Sequence, residues 1–244
     1  MGTNPPHPRV LDWLASSRPY ALAAMLSGPR GGSDPSRNAN YGRWAKAVEL
    51  ACDYDNVMLV GSGHSGEKDE LRRELRVVDR KLGLHHPKAK YIDDRAPHTA
   101  ANVANLLRVG RVMFGFPVIT DELLKRPITF RIATNDFHGQ RVLFLADVIQ
   151  RWLALRSRRW AATLPFRFEI APVGIDDLDP DWIQGYIDAE AGKMAESRNF
   201  ALEWFNNDLR RAPTMMRRVA SSRSLTRGRR VNTELTLRRL VESV

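Results

Sequence analysis

The stretch RIATNDFHGQRVLFL, from Arg131 to Leu145, decides how this chain is read. Thr129, Phe130, Ile132 and Ala133 have the β-branched and aromatic character of a strand's end. A polar turn, Thr134-Asn135-Asp136, follows. Val142, Leu143, Leu145, Ala146 and Ile149 then recur at helical spacing. In parallel α/β sheets a strand-to-helix turn of this kind is where ligands sit, because the helix start offers unpaired N–H groups and a positive dipole end. Three side chains able to do chemistry, Asp136, His138 and Arg141, crowd into it. His138 and Arg141 are three apart and share a helix face. These three are the catalytic candidates, with His138 as acid, base or orienting donor and Arg141 as a fork for a carboxylate or phosphate.

The same alternation runs upstream. Tyr20 to Leu26 reads as a first strand, followed by a glycine-rich turn, Ser27 to Ser33, and a helix over residues 37–51. Asn56 to Val60 reads as a second, apolar on both faces as in a parallel sheet, and runs into Gly61-Ser62-Gly63-His64-Ser65-Gly66. Leu71, Leu75, Val78 and Leu82 make one helical stripe. A short strand over residues 89–92 leads to Asp93-Asp94-Arg95 and a helix over 98–113. Phe166 to Val173 reads as a fifth strand. The expected fold is α/β: a Rossmann-like, doubly wound, mostly parallel sheet of about five strands with a C-terminal helical extension. The expected division is an α/β domain over residues 1–173 and an extension over 174–244. The extension holds a long helix from Trp182 to about Arg211, a linker and a short helix over 232–241. Its Trp182, Tyr186, Met194, Phe200, Trp204 and Phe205 suit a core, a lid or a dimer surface.

Right-handed crossovers place all the strand ends on one edge, so the polar turns converge there. The spacing Gly61-x-Gly63-x-x-Gly66 fits the letters of a dinucleotide fingerprint, but Asp79, the acidic residue nearest the expected distance, lies inside a helical stripe. No Gly-Lys-Ser/Thr follows, so the turn is not a P-loop. Thr99 and Asn102 suit either helix capping or ligand contact. No set of side chains has recognisable metal-ligand spacing, and the expectation for metal is none.

Composition narrows the classes. The single cysteine, Cys52, excludes an intramolecular disulfide and a thiolate zinc site and fits a reducing compartment. No apolar run has the length of a membrane span, and the first residues lack a signal peptide's apolar core, so a cytoplasmic protein is expected. The net charge is +10. From Leu209 to Val244 there are ten Arg and two Glu, which puts +8 in the tail. Such a tail suits an acidic partner, although no nucleic-acid motif accompanies it.

Thr134-Asn135-Asp136-Phe137-His138-Gly139-Gln140-Arg141 resembles the Thr-Ser-x-Tyr/Phe-His-x-x-Arg turn of the bacterial YdcF/SanA/ElyC-like proteins. Thr99-Ala100-Ala101-Asn102 resembles that family's Thr-x-x-Asn element. The two glycine turns and an early acidic residue, Glu67 or Glu70, fall in the same order. The resemblance covers roughly residues 20–155. Ala96 stands where the family has Ser, Val142 where it has a small residue, and Pro29-Arg30 is unusual. Lacking an anchor, the chain looks like the soluble YdcF branch. For that branch the resemblance implies a Rossmann-like fold and binding of S-adenosylmethionine. The cofactor-binding candidates are Ser27, Gly28, Gly61, Ser62, Gly63, His64, Glu67, Thr99, Asn102, Thr134 and Asn135.

Three functions follow as expectations. The first is an enzyme, such as a group transferase, that binds S-adenosylmethionine or a related adenosyl ligand at the strand ends. The second is a transferase or hydrolase acting on a phosphorylated cell-envelope or sugar-nucleotide precursor. The third is a non-catalytic metabolite-binding protein whose basic tail holds an acidic partner.

Overall fold

In the computed structural model the described residues are 21–26, 39–52, 57–62, 68–82, 90–93, 96, 99–114, 129–156, 166–176 and 178–206. Five helices carry most of them: α1 (Ala39–Cys52), α2 (Lys68–Leu82), α3 (Thr99–Phe114), α4 (Asp136–Arg156) and α5 (Pro180–Asn206). The strands are β1 (Ala21–Leu26), β2 (Val57–Ser62), β3 (Lys90–Asp93), β4 (Thr129–Asn135) and β5 (Arg167–Val173). Backbone ladders, all parallel, run in the order β3-β2-β1-β4-β5.

The Rossmann-like, doubly wound body expected from the sequence is corrected by the weight of its parts. Residues described down to their side chains are 77% helical and form five helices with only two parallel strands of one sheet, β4 and β5. Length is the physical reason. The strands have four to seven residues and the helices 14 to 27.

Strand alternation decides what β4 offers to each side. Phe130, Ile132 and Thr134 point to one face, and Arg131, Ala133 and Asn135 to the other. On the first face Phe130 sits between Phe166 and Phe168, with both centroid separations 4.9 Å. A Cβ on Gly110 of α3 would collide with the Phe130 ring, so α3 approaches β4 by virtue of that glycine. On the second face Ala133 and Ala171 join Trp44, Val48, Leu71, Leu75 and Val78 in a cluster that ties α1 and α2 to the sheet. Small strand residues leave room there for Trp44, which is fully buried.

The expected polar turn at Thr134-Asn135-Asp136 is also corrected. β4 continues to Asn135 and α4 begins at Asp136 with no residue between. Likewise Gly61 and Ser62 belong to β2 rather than to the turn after it. The two residues at the β4 end are held in register by pairing Thr134 with Pro172 and Asn135 with Val173.

A second apolar cluster lies at the carboxyl end of β4. Ala39 opens α1, Phe137 lies in the first turn of α4, and Leu178, Ile183, Trp182, Tyr186 and Ile187 come from α5 and its approach. Asp179 caps α5, its Oδ1 accepting from the N–H groups of Asp181 (3.1 Å) and Trp182 (3.2 Å). Pro180 at the first helical position is preset for that geometry. The expected short helix over 232–241 and the basic tail lie outside the described residues.

Candidate functional site

The site grows from the alternation of β4. Thr134 points to one face and meets His138 one helical turn later, with Thr134 Oγ1 2.9 Å from His138 Nδ1. The opposite ring nitrogen, Nε2, lies 3.1 Å from Thr99 Oγ1. Thr99 is the first residue of α3 and Asp136 the first of α4. Two helix N-termini therefore meet around one imidazole. Each brings its positive dipole end.

His138 is buried, and its pKa is held well below the usual histidine value. Desolvation is the leading cause, followed by the charges of Arg43, Arg141 and Lys193. The ring is thus neutral at neutral pH. A neutral imidazole donates from one nitrogen and accepts at the other, so one threonine hydroxyl accepts and the other donates.

Asn135 points to the opposite face and anchors the other half. Its Oδ1 accepts from Arg43 Nε (2.9 Å) and Nη2 (2.7 Å). Its amide donates to the carbonyls of Val173 (3.1 Å) and Gly174 (3.3 Å). Arg43 is 1% exposed, and burial lowers its pKa to about 9, against the raising influence of Glu190. A guanidinium so placed is held by geometry rather than by hydration, and Asn135 supplies the acceptor for two of its donors.

Arg141 is the third part. Its Nε donates to Glu190 Oε1 and its Nη2 to Glu190 Oε2 at 3.1 Å, a two-pronged pair with side chains 13% and 9% exposed. Lys193 lies one turn beyond, 4.0 Å from Glu190 Oε2. Arg141 is therefore satisfied by a carboxylate of α5.

The structure brings together four of the sequence candidates, His138, Thr99, Thr134 and Asn135, with Arg141 linked to them through charge. Asn102 is buried on α3, one turn after Thr99. Asp136 is exposed at the start of α4 and does not join the buried cluster. Gly61 and Ser62 are strand residues. Ser27, Gly28, Gly63, His64 and Glu67 lie outside the described residues. Sequence reasoning missed Arg43, Glu190 and Lys193. The signal was present for two of them. Arg43 sits beside Trp44 and Ala47 on the buried side of α1, and Glu190 falls seven residues after Ile183 on the apolar side of α5.

Among the described residues no group of three metal-ligating side chains occurs, and no helix is long and apolar enough to cross a membrane. No protein-family model matches the chain, and no curated protein or solved structure is similar to it.

Proposed function

We propose that the chain binds a small metabolite carrying an anionic group where α3 and α4 begin, and that this ligand is S-adenosylmethionine or a related adenosyl compound used for group transfer, held there by its carboxylate. One observation supports the reading above others. His138 is buried, neutral and held at both nitrogens by threonines from two separate elements, at the meeting of two helix N-termini. Two partners satisfy the ring, as burial demands of any histidine, and the meeting of two positive helix ends with three cations is what points to an anionic group.

The residues fit the ligand's parts. Its α-carboxylate suits the positive helix ends and the surrounding cations Arg43, Arg141 and Lys193. The exposed carboxylate of Asp136 suits an ammonium or a ribose hydroxyl. Bound there, the group would supply an electrophilic carbon for an acceptor. His138, neutral and fixed in orientation by Thr99 and Thr134, serves as an orienting group for the ligand rather than as a strong base. The adenosyl identity rests on the Thr-x-x-Asn and Phe-His-x-x-Arg resemblance.

Calorimetric titration with S-adenosylmethionine, S-adenosylhomocysteine, ATP and NAD tests this, repeated on Thr99→Val and His138→Asn. Saturable binding of the adenosyl-sulfur ligands, weakened at least about tenfold by either variant, is expected; a loss of one such hydrogen bond corresponds to roughly that factor. Binding of ATP alone would turn the reading to phosphorylated precursors, which the cations Arg43, Arg141 and Lys193 would suit. Binding unaffected by both variants would remove the site from consideration.

A further inference from the structure

Helix α5 is docked in an unusual way. Among its described side chains, residues 180–199, only Ile183 and Glu190 are buried. They are seven apart and so share one face. A helix of this length ordinarily seats on an apolar stripe. Here the stripe is interrupted at its centre by a carboxylate, and that carboxylate is the one on Arg141. Trp182, Tyr186 and Ile187 are only partly buried, around the first turn of α4 and the start of α1. The described part of the helix thus lies over the end of the sheet where α4 begins, seated by Ile183 with its partly buried neighbours and by the ion pair of Glu190 with Arg141.

We propose that Glu190 occupies the anion site of Arg141 in the unliganded protein, so that α5 is a strap which the ligand's own carboxylate or phosphate displaces. The inference rests on the site proposed above, and it states how that site is regulated. The charges explain why displacement needs an anion. Arg43, Arg141 and Lys193 all act on His138, and Glu190 is the carboxylate held among them. Release of α5 carries Lys193 away with Glu190 and leaves the Arg141 fork without its carboxylate, with the buried charge of Arg43 in the same site. An incoming carboxylate or phosphate restores the balance and takes both prongs of the Arg141 fork. A neutral ligand leaves α5 where it is. The apparent affinity of an anion is then the intrinsic affinity reduced by the fraction of molecules in which α5 is released.

The test uses the full chain and Glu190→Gln, which keeps the side chain's size and removes its charge. Amide hydrogen exchange over residues 180–199 is compared with that over α4, and inorganic phosphate and S-adenosylmethionine are titrated separately. Faster exchange confined to α5, with at least about tenfold tighter phosphate binding that the added Arg141→Ala change abolishes, is the expected result. Unchanged exchange and affinity would overturn the proposal. So would faster exchange without any gain in anion binding, since the pair would then be a structural clasp. A gain for phosphate with no binding of S-adenosylmethionine by either protein leaves the strap standing and removes the adenosyl reading. Should Glu190→Gln fail to fold, the wild-type chain serves instead. Phosphate must then speed exchange in α5 beyond chloride at equal ionic strength, and equal effects of the two salts would overturn the proposal.

Discussion

Helices α4 and α5 lie against each other, yet they are held by opposite means. The described part of α4 buries Val142, Leu145, Ala146, Val148, Ile149 and Leu153 against the sheet and α3, in addition to His138. Gly139, next to His138, lets Ile170 of β5 approach to 3.0 Å of where a Cβ would stand. The described part of α5 buries one aliphatic side chain and one carboxylate. Hydrophobic burial is nondirectional and cannot be exchanged for a ligand without opening the core. A buried ion pair is different: its strength lies in geometry, and another anion of the same shape can replace half of it. The first arrangement makes a scaffold and the second a movable part. Function needs both, since a histidine oriented by the first is only useful if the second admits a ligand.

The contrast is broken most directly by making the same truncation in each helix. Ile149→Ala in α4 removes a fully buried side chain and is expected to cost about 2–5 kcal/mol, lowering Tm by roughly 2–4 °C for each kcal/mol. Ile183→Ala in α5 removes a side chain that is 4% exposed, by area an equal loss. It is expected instead to speed amide exchange in α5 while Tm moves far less, because α5 opens without the core. Calorimetric melting with site-resolved exchange reads both. Equal falls in Tm would show that α5 unfolds only with the whole chain, and the distinction between scaffold and strap would be lost.

The next effect concerns the scaffold's histidine. His138 has a folded-state pKa well below its unfolded value near 6.5, chiefly through desolvation. The unfolded chain therefore takes up a proton that the folded chain refuses. The stabilising contribution is complete above the unfolded pKa and is lost as pH falls below about 6.5, at up to about 1.4 kcal/mol per pH unit. Urea unfolding of wild type and His138→Gln at pH 7.5 and 5.5 should show a smaller loss of stability in the variant. Parallel losses would mean that His138 is protonated in the fold and exposed to water. The comparison between helices would then need a different anchor for the start of α4.

How much of this was legible follows from the kind of signal each residue gives. The strands and helices up to β5 were readable because apolar period and breaker residues are local. Their ends were not, since Thr134 and Asn135 look like a turn until their register with Pro172 and Val173 is known. His138 was visible as a polar residue entering an apolar helix. Its threonine partners were visible as candidates, but their aim at the two ring nitrogens depends on α3 and β4 meeting in space. The partner of Arg141 lay 49 residues away on a helix assigned to a separate extension. An ion pair of that separation has no sequence spacing to betray it. Nor does the weight of helix over strand show in an alternation pattern, which counts elements and not their lengths. That is why the expected Rossmann-like sheet gave way to a body that is mainly helical.

The smallest effect is also the sharpest probe of α5. Gly185 and Gly192 lie within this helix, and a Cβ at either would meet nothing within 4 Å. No close packing therefore requires them, and each costs helix stability of about 0.5–1 kcal/mol relative to alanine. Gly192→Ala, two residues after Glu190, should stabilise α5 by that amount and slow exchange of its amides by a factor of about two to five, as follows from RT ln of the population ratio. Tm should stay within about 1–2 °C of wild type if α5 opens on its own. The same substitution should weaken anion binding by a similar factor, because it tightens the strap without touching Arg141. Slower exchange with unchanged anion affinity would separate the stability of α5 from access to the site, and the opening that admits the ligand would then have to be a smaller movement than release of the helix.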